Sequence, residues 1–317
     1  MLTIKKILFP TDFSQAATDA LLQALYLAEQ YKAELHFFHV MDPFDDPNNP
    51  SHRFPTQEEI LELVQQQMAP NLAQAYLKSK GKHVHVFEKQ ERGIAVAPTI
   101  VDYVSEHEID LVVMGTHGRR GFGHLLLGSV AEEIVRRSPC PVLTVRGKKE
   151  GRSMLPIHRI LVPVDFSGHA QKAMAHAAQL AGLYGAELQV LHVIQEIVHP
   201  AFYVGGRTSI FEFMPQVESE STKHIQELID EIVPKDIPYG IYLREGHPTQ
   251  EIVNFIEHHK SDLVVIATHG LTGIEHFLLG SVTEKAVRLA PVPVFTVKGF
   301  GKTLVEESLV HEMSEKV

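Results

Sequence analysis

Apolar positions along this chain follow two alternating patterns. Short continuous runs such as Ile7-Leu8-Phe9, Leu111-Val112-Val113-Met114 and Val142-Leu143-Thr144-Val145 have the length and β-branched content of strands buried on both faces. Between them lie stretches of helical spacing. Ala16, Ala17, Ala20, Leu21, Ala24, Leu25 and Ala28 share one side of a helix that Ser14 can cap. The first half of the chain thus predicts strands at 4–9, 34–41, 82–88, 110–114 and 142–146. Helices are predicted after Ser14, over 57–80 with an interruption near Pro70, over 97–107 and over 128–137. Asp42 to Thr56 is rich in Pro, Asn and Asp and reads as loop.

The whole pattern then returns. Ile7-Leu8-Phe9-Pro10-Thr11-Asp12-Phe13-Ser14 recurs as Ile160-Leu161-Val162-Pro163-Val164-Asp165-Phe166-Ser167. Ala33-Glu34-Leu35 through His39-Val40 recurs as Ala186-Glu187-Leu188 through His192-Val193. Each half is therefore one domain, 1–147 and 158–299, with a polar linker at 147–153 and a tail at 300–317. In the tail, Leu304, Val305, Leu309, Val310 and Met313 line one side of a short predicted helix. Regular β–α alternation predicts an α/β fold of two doubly wound, flavodoxin- or Rossmann-like domains. Each has a five-stranded parallel sheet in the order 3-2-1-4-5. In that order the chain reverses between strands one and four, and ligands bind beyond the strand ends at such a point.

Two glycine-rich loops fall at that place. Gly115-Thr116-His117-Gly118-Arg119 runs on to Gly128-Ser129-Val130, a G-x2-G-x9-G-S skeleton between a strand and a helix. Ala267-Thr268-His269-Gly270 runs on to Gly280-Ser281-Val282 with the same spacing, Ala267 standing at the first glycine. Glycines let backbone approach a ligand closely, and a helix start offers unpaired N–H groups to a phosphate. The opposing loop carries Asp12, whose carboxylate either accepts from ribose or adenine or caps the following helix. His117 and His269 shape their loops or touch phosphate, and Arg119 adds a charge that the second loop lacks.

Composition narrows the classes. The chain has 317 residues, 44% hydrophobic and 21% charged, with a net charge of -10, which disfavours broad nucleic-acid or anionic-membrane binding. Cys140 is the only cysteine, placed before a strand as a small buried hydrophobe, so no intrachain disulfide forms. The 20 histidines include no H-E-x-x-H pattern, and no metal site is expected. His83 and His85 fall on one face of the predicted third strand. Gly301-Lys302-Thr303 lacks the upstream glycine of a P-loop. No signal-peptide core or membrane-length apolar run occurs, and the expectation is a cytoplasmic protein. Ile197 to Met214 is an apolar segment with a Gly205-Gly206 hinge. It covers its own domain or the domain interface, or it serves as a partner surface or apolar lid.

The Pro-x-Asp-Phe-Ser segments and both glycine loops resemble the universal stress protein family, in its tandem, ATP-binding form. The resemblance covers both halves and leaves out the linker and tail. It implies that Asp12 and the backbone of Val40, in the Pro10-Thr11-Asp12 cleft, hold adenosine in half one. Asp165 and Val193, with Pro163 and Val164, do so in half two. Met114, Gly115, Gly118, Gly128, Ser129 and Val130 would line the first phosphate site. Ala267, Gly270, Gly280, Ser281 and Val282 would line the second, where the Ala267 methyl departs from the pattern. The resemblance further implies ATP, with or without Mg²⁺, as cofactor and an unidentified protein partner. It also implies a pseudo-dimer built from residues 142–146 and 293–297, open to further dimerisation. Three functions stay open: a nucleotide-binding stress or regulatory protein, a slow ATPase or phosphotransferase, and an interaction scaffold with a vestigial site.

Overall fold

The computed structural model describes residues 2–41, 43, 44, 46, 52–68, 70–79, 82–116, 127–146, 156–195, 211, 214–269 and 279–305. Half one runs β1 (Lys6–Pro10), α1 (Gln15–Tyr31), β2 (Glu34–Met41), α2 (Gln57–Gln67), α3 (Pro70–Ser79), β3 (Val86–Arg92), α4 (Val96–Glu106), β4 (Leu111–Gly115), α5 (Ser129–Arg137) and β5 (Val142–Val145). Half two runs β6 (Arg159–Val164), α6 (Gly168–Tyr184), β7 (Glu187–Ile194), α7 (Pro215–Ile232), β8 (Tyr239–Glu245), α8 (Pro248–His259), β9 (Leu263–Ala267), α9 (Ser281–Leu289) and β10 (Val294–Val297). The strands form one sheet in the order β3-β2-β1-β4-β5-β10-β9-β6-β7-β8. The pairing is parallel within each half, in the order 3-2-1-4-5 that the pattern predicts. Pro70 opens α3, so the predicted interruption near it separates two helices.

The third strand lies at Val86–Arg92 rather than 82–88. It is an edge strand, and an edge tolerates a charged run such as Glu88 to Arg92 because one side faces solvent. His83 and His85 precede it, and His83 instead meets the Glu29 carboxylate at 3.0 Å. The linker at 147–153 lies outside the described residues, as do 197–210 of the apolar segment and 306–317 of the tail. Leu304 and Val305 are buried in irregular backbone, not in a helix.

The halves meet where β5 and β10 pair antiparallel, Thr144 opposite Val294, Leu143 opposite Phe295 and Val142 opposite Thr296. The register is symmetric about Leu143 and Phe295, which are equivalent positions of the repeat. Each threonine adds a side-chain bond across the seam, Thr144 to the Val294 carbonyl (3.2 Å) and Thr296 to the Val142 carbonyl (3.0 Å). The residue after each strand caps a helix of the other half. Arg146 donates to the Ala290 carbonyl (2.8 Å) just past α9, and Lys298 donates to Val135 in the last turn of α5. A cation at a helix C-terminus satisfies leftover carbonyls and opposes the dipole. Behind the seam, α1 is buried without interruption from Ala20 to Glu29 because two faces are covered. One lies on the sheet. The other meets α6, where Tyr26 stacks on Tyr184 at 5.3 Å and Tyr184 donates to Gln23 (3.3 Å).

Residues 299–305 run back along half one. Lys302 pairs with Asp110, and its backbone N–H donates to Pro139 (2.8 Å). Asp110 in turn receives the N–H groups of Lys5 (2.7 Å) and Lys6 (2.8 Å). Gly301 takes φ 90, and a Cβ there would meet the Pro139 carbonyl oxygen at 2.3 Å, so only glycine fits. Leu304 donates its N–H to His176 Nε2 (3.2 Å), while His176 Nδ1 faces the Lys172 carbonyl at 2.7 Å. A carbonyl only accepts, so Nδ1 carries the proton and the ring is neutral. Burial lowers its pKa from 6.5 to about 4.

This yields a pH prediction. The unfolded chain binds the His176 proton more readily than the folded one. The contribution is therefore fully present above pH 6.5 and is lost as pH falls towards 4. The loss is on the order of 3 kcal/mol. Denaturant unfolding at stepped pH should show His176→Gln losing less stability than wild type over that window. Parallel curves would rule the histidine out as the titrating group.

Candidate functional site

The same turn is built twice at the C-terminal end of the first strand of each half. Thr11 N–H donates to the Phe38 carbonyl (2.9 Å), and the chain then turns sharply. Thr11 Oγ1 accepts from Phe13 N–H (3.0 Å), and Asp12 Oδ1 accepts from Ser14 N–H (3.1 Å). Ser14 Oγ accepts from Ala17 N–H (3.3 Å) and so caps α1. Phe13 is held at φ 61, a strained position for a bulky residue, by bonds on both sides. In half two Phe166 stands at φ 63, and Asp165 Oδ1 accepts from Ser167 N–H (3.1 Å) and Oγ (2.6 Å). Asp12 and Asp165 thus brace the turn, and Ser14 and Ser167 do the capping.

Residues beyond the sequence reading hold these turns. His39 Nδ1 donates to the Thr11 carbonyl (2.7 Å), and His192 Nδ1 to the Val164 carbonyl (2.8 Å). Phe13 packs on His39 with centroids 4.6 Å apart, and Phe166 on His192 at 4.5 Å. The sequence carries a signal for them, since His39-Val40 and His192-Val193 repeat as pairs.

Geometry gives those valines a reason. Along β2, the Phe38 carbonyl points at β1 and that of Met41 at β3, where Gly93 N–H donates to it (3.1 Å). Peptide directions alternate, so the peptide groups of Val40 face past the end of β1 into the cleft. Ile194 bonds Gly246 on the β8 side (3.1 Å), which turns Val193 to the matching cleft. Pro10 and Pro163, at the ends of β1 and β6, lie on this rim.

The opposite wall is the end of the fourth strand and the next helix. Thr116 N–H donates to Val145 (2.9 Å), and its carbonyl accepts Gly128 N–H (2.8 Å), tying the start of α5 to β4 beside Met114. Thr268 makes the same two bonds with Val297 and Gly280, both 2.9 Å. Gly128 (φ -64) and Gly280 (φ -58) occupy the N-cap, where glycine has no side-chain oxygen to give. The first N–H groups of α5 and α9, at Ser129, Val130, Ser281 and Val282, therefore point at the cleft without a cap of that kind. Neither glycine needs a positive φ. A Cβ at Gly280 would lie 3.1 Å from the Thr268 carbonyl oxygen, a tight approach that a side chain would have to displace by a few tenths of an ångström.

Gly115 has a different cause from the expected one. A Cβ there would lie 2.9 Å from the carbonyl carbon and oxygen of Ala16, so the glycine seats α1 against β4. In half two Ala267 is tolerated, and its carbonyl accepts from Thr283 Oγ1 (2.6 Å). His117, Gly118, Arg119 and Gly270 lie outside the described residues. Cys140 is fully buried away from this cleft, with its thiol pushed up to about 11 by burial. Among the described residues no group of three His, Cys, Asp or Glu side chains is placed to hold a metal, and no helix is long and apolar enough to cross a membrane.

The packing difference is testable. Gly115→Ala should lower stability by about 1–3 kcal/mol through overpacking against α1. Ala267→Gly should cost about 1 kcal/mol for a lost methyl and backbone entropy. Urea midpoints of both variants check this, and a neutral Gly115→Ala would contradict the steric account.

Known proteins share this arrangement. The model of the Universal stress protein family matches residues 3–146 and again 156–298. Two universal stress proteins of Methanocaldococcus jannaschii are similar to it. One is 32% identical over 146 residues, covering 46% of this chain and 84% of the relative. The other is 30% identical over 152 residues, covering 44% and 94%. Among solved structures, a universal stress protein from Archaeoglobus fulgidus aligns with a TM-score of 0.59 at 21% identity, over 92% of this chain and 98% of that one. A putative universal stress protein from Pseudomonas aeruginosa aligns with a TM-score of 0.62 at 18% identity, over 99% and 97%. These two speak to the fold alone.

Proposed function

The chain belongs to the universal stress protein family, and from that premise we propose that it is a stress-response regulator that binds ATP in both halves. The observation that carries the reading is the twice-built cleft. In each half a glycine-capped helix start faces a braced aspartate across the point where strand order reverses. Fit is supported by the two helix starts, whose N-cap glycines Gly128 and Gly280 give no side-chain oxygen to the first N–H groups. In half one the N–H groups of Ser129 and Val130 hold phosphate. Asp12 accepts from ribose or adenine, and the peptide of Val40 reads the adenine edge. Asp165, Val193, Ser281 and Val282 do the same in half two. Mg²⁺ arrives with the nucleotide. The β5–β10 seam makes the two halves one pseudo-dimeric unit, and occupancy of the clefts is the signal presented to a protein partner.

Calorimetric titration tests the reading. Wild type should take up two ATP per chain, Gly128→Val and Gly280→Val one each, and the double variant none. Circular dichroism confirms that each variant is folded. Binding of two ATP by a folded double variant would refute the site. Turnover is measured on the same samples, and hydrolysis lost in Asp12→Ala would move the function to a slow ATPase.

A further inference from the structure

We infer that each phosphate cradle is held in place by a cation of the opposite half. Lys298 of half two is the positioning residue for α5 and the half-one site, and Arg146 of half one is the positioning residue for α9 and the half-two site. This rests on the nucleotide reading and adds what each site requires from beyond its own domain.

The need arises in the sequence. The last carbonyls of a helix are left without intrahelical donors, and N–H groups just past its end can serve them. Four residues past Val135 stands Pro139, and four past Leu289 stands Pro293. Proline has no N–H, so neither carbonyl finds a donor at that place. The cap N–H groups of Ser138 and Ala290 are engaged by the carbonyls of Ile134 and Ala286. Donors come instead from across the seam. Lys298 Nζ donates to the Val135 carbonyl, and Arg146 donates to the carbonyls of Leu289 (3.3 Å) and Ala290 (2.8 Å). Lys298 is itself buried, and burial lowers its pKa from 10.5 to about 8, so it is still an ammonium at pH 7. A third join lies between the helices. Arg288, in the last turn of α9, meets Glu132 in the first turn of α5 (3.1 Å) and Glu284 of its own helix (3.0 Å). The two cradle helices are thus tied into one unit across the seam.

Position matters because each helix is short. Nine residues rise about 13 Å, so a displacement at one end is carried to the other as by a rod. The N–H groups of Ser129 and Val130 in α5, and of Ser281 and Val282 in α9, stand at the end opposite the cation. A carbonyl left unpaired at the far end draws the helix towards another donor, and those N–H groups move with it. The dipole adds to this. A cation at the C-terminus and a phosphate at the N-terminus both favour the same helix.

ATP titration of full-length chains at pH 7 separates this from a local role. In the Gly280→Val chain, which retains half one, Lys298→Met should raise the ATP dissociation constant about fivefold, and Arg146→Met should change it by less than about twofold. In the Gly128→Val chain, which retains half two, the pattern should reverse. Arg146→Lys, which keeps a cation, should restore most of the half-two affinity. Circular dichroism and urea midpoints establish that each variant is folded. If Lys298→Met does not fold, the partly exposed Arg146 decides through its Met and Lys variants. Losses confined to the variant's own half, losses shared equally by both halves, or unchanged affinities in folded variants overturn the inference and leave nucleotide binding standing. ATP binding to neither parent chain overturns the nucleotide reading and this inference with it.

Discussion

The molecule depends on the pairing of two strand edges. Each half is a parallel sheet whose last strand, β5 or β10, has one unsatisfied row of peptide groups. Joined antiparallel, the two rows satisfy each other through a register symmetric about Leu143 and Phe295. The rest of the architecture follows from that geometry. α1 and α6 are brought back to back, which accounts for a helix buried on two faces. The trailing cations Arg146 and Lys298 reach the helix ends of the opposite half. Because the pairing is antiparallel, the strands of the two halves end in opposite directions, and the two clefts open at opposite edges of the sheet.

The same geometry decides the path of the chain after β10. That strand ends at the cleft of half two, beside the edge where the strands of half one begin. Gly299 and Phe300 therefore pack on His169 and His269. A few residues later Lys302 and Leu304 reach Asp110 and the loop before β1. One short segment touches the loop after β9 at one end and the base of the other domain at the other.

In both clefts a strained turn is stabilised before any ligand arrives. Phe13 and Phe166 adopt a left-handed backbone that a bulky residue avoids, and side-chain bonds and a histidine contact on either side keep them there. The aspartate is fixed by the same bonds that would orient it towards ribose or adenine. Such pre-organisation lowers the ordering cost of binding. The halves share this turn and differ beside it, where half two packs His169 near His269 and the repeat gives half one Ala16 and His117.

What the sequence determined by itself was local or repeated. Strand and helix identities came from periodicity, Ser14 and Ser167 from their place before a helix, and the domain count from the repeat. Strand order came from the β–α alternation and the rules of right-handed crossover. Features decided by contacts between distant residues were not legible. The shift of β3 depends on its register with β2. The need for Gly115 comes from Ala16, about a hundred residues earlier, and has no local backbone signature. His39 and His192 act through carbonyls on a neighbouring strand. The crossed helix caps join residues of different domains, and the seating of Leu304 follows a path that only the paired sheet provides. A one-dimensional pattern reports which face of an element is apolar. Which partner that face meets, and at what register, is set by packing.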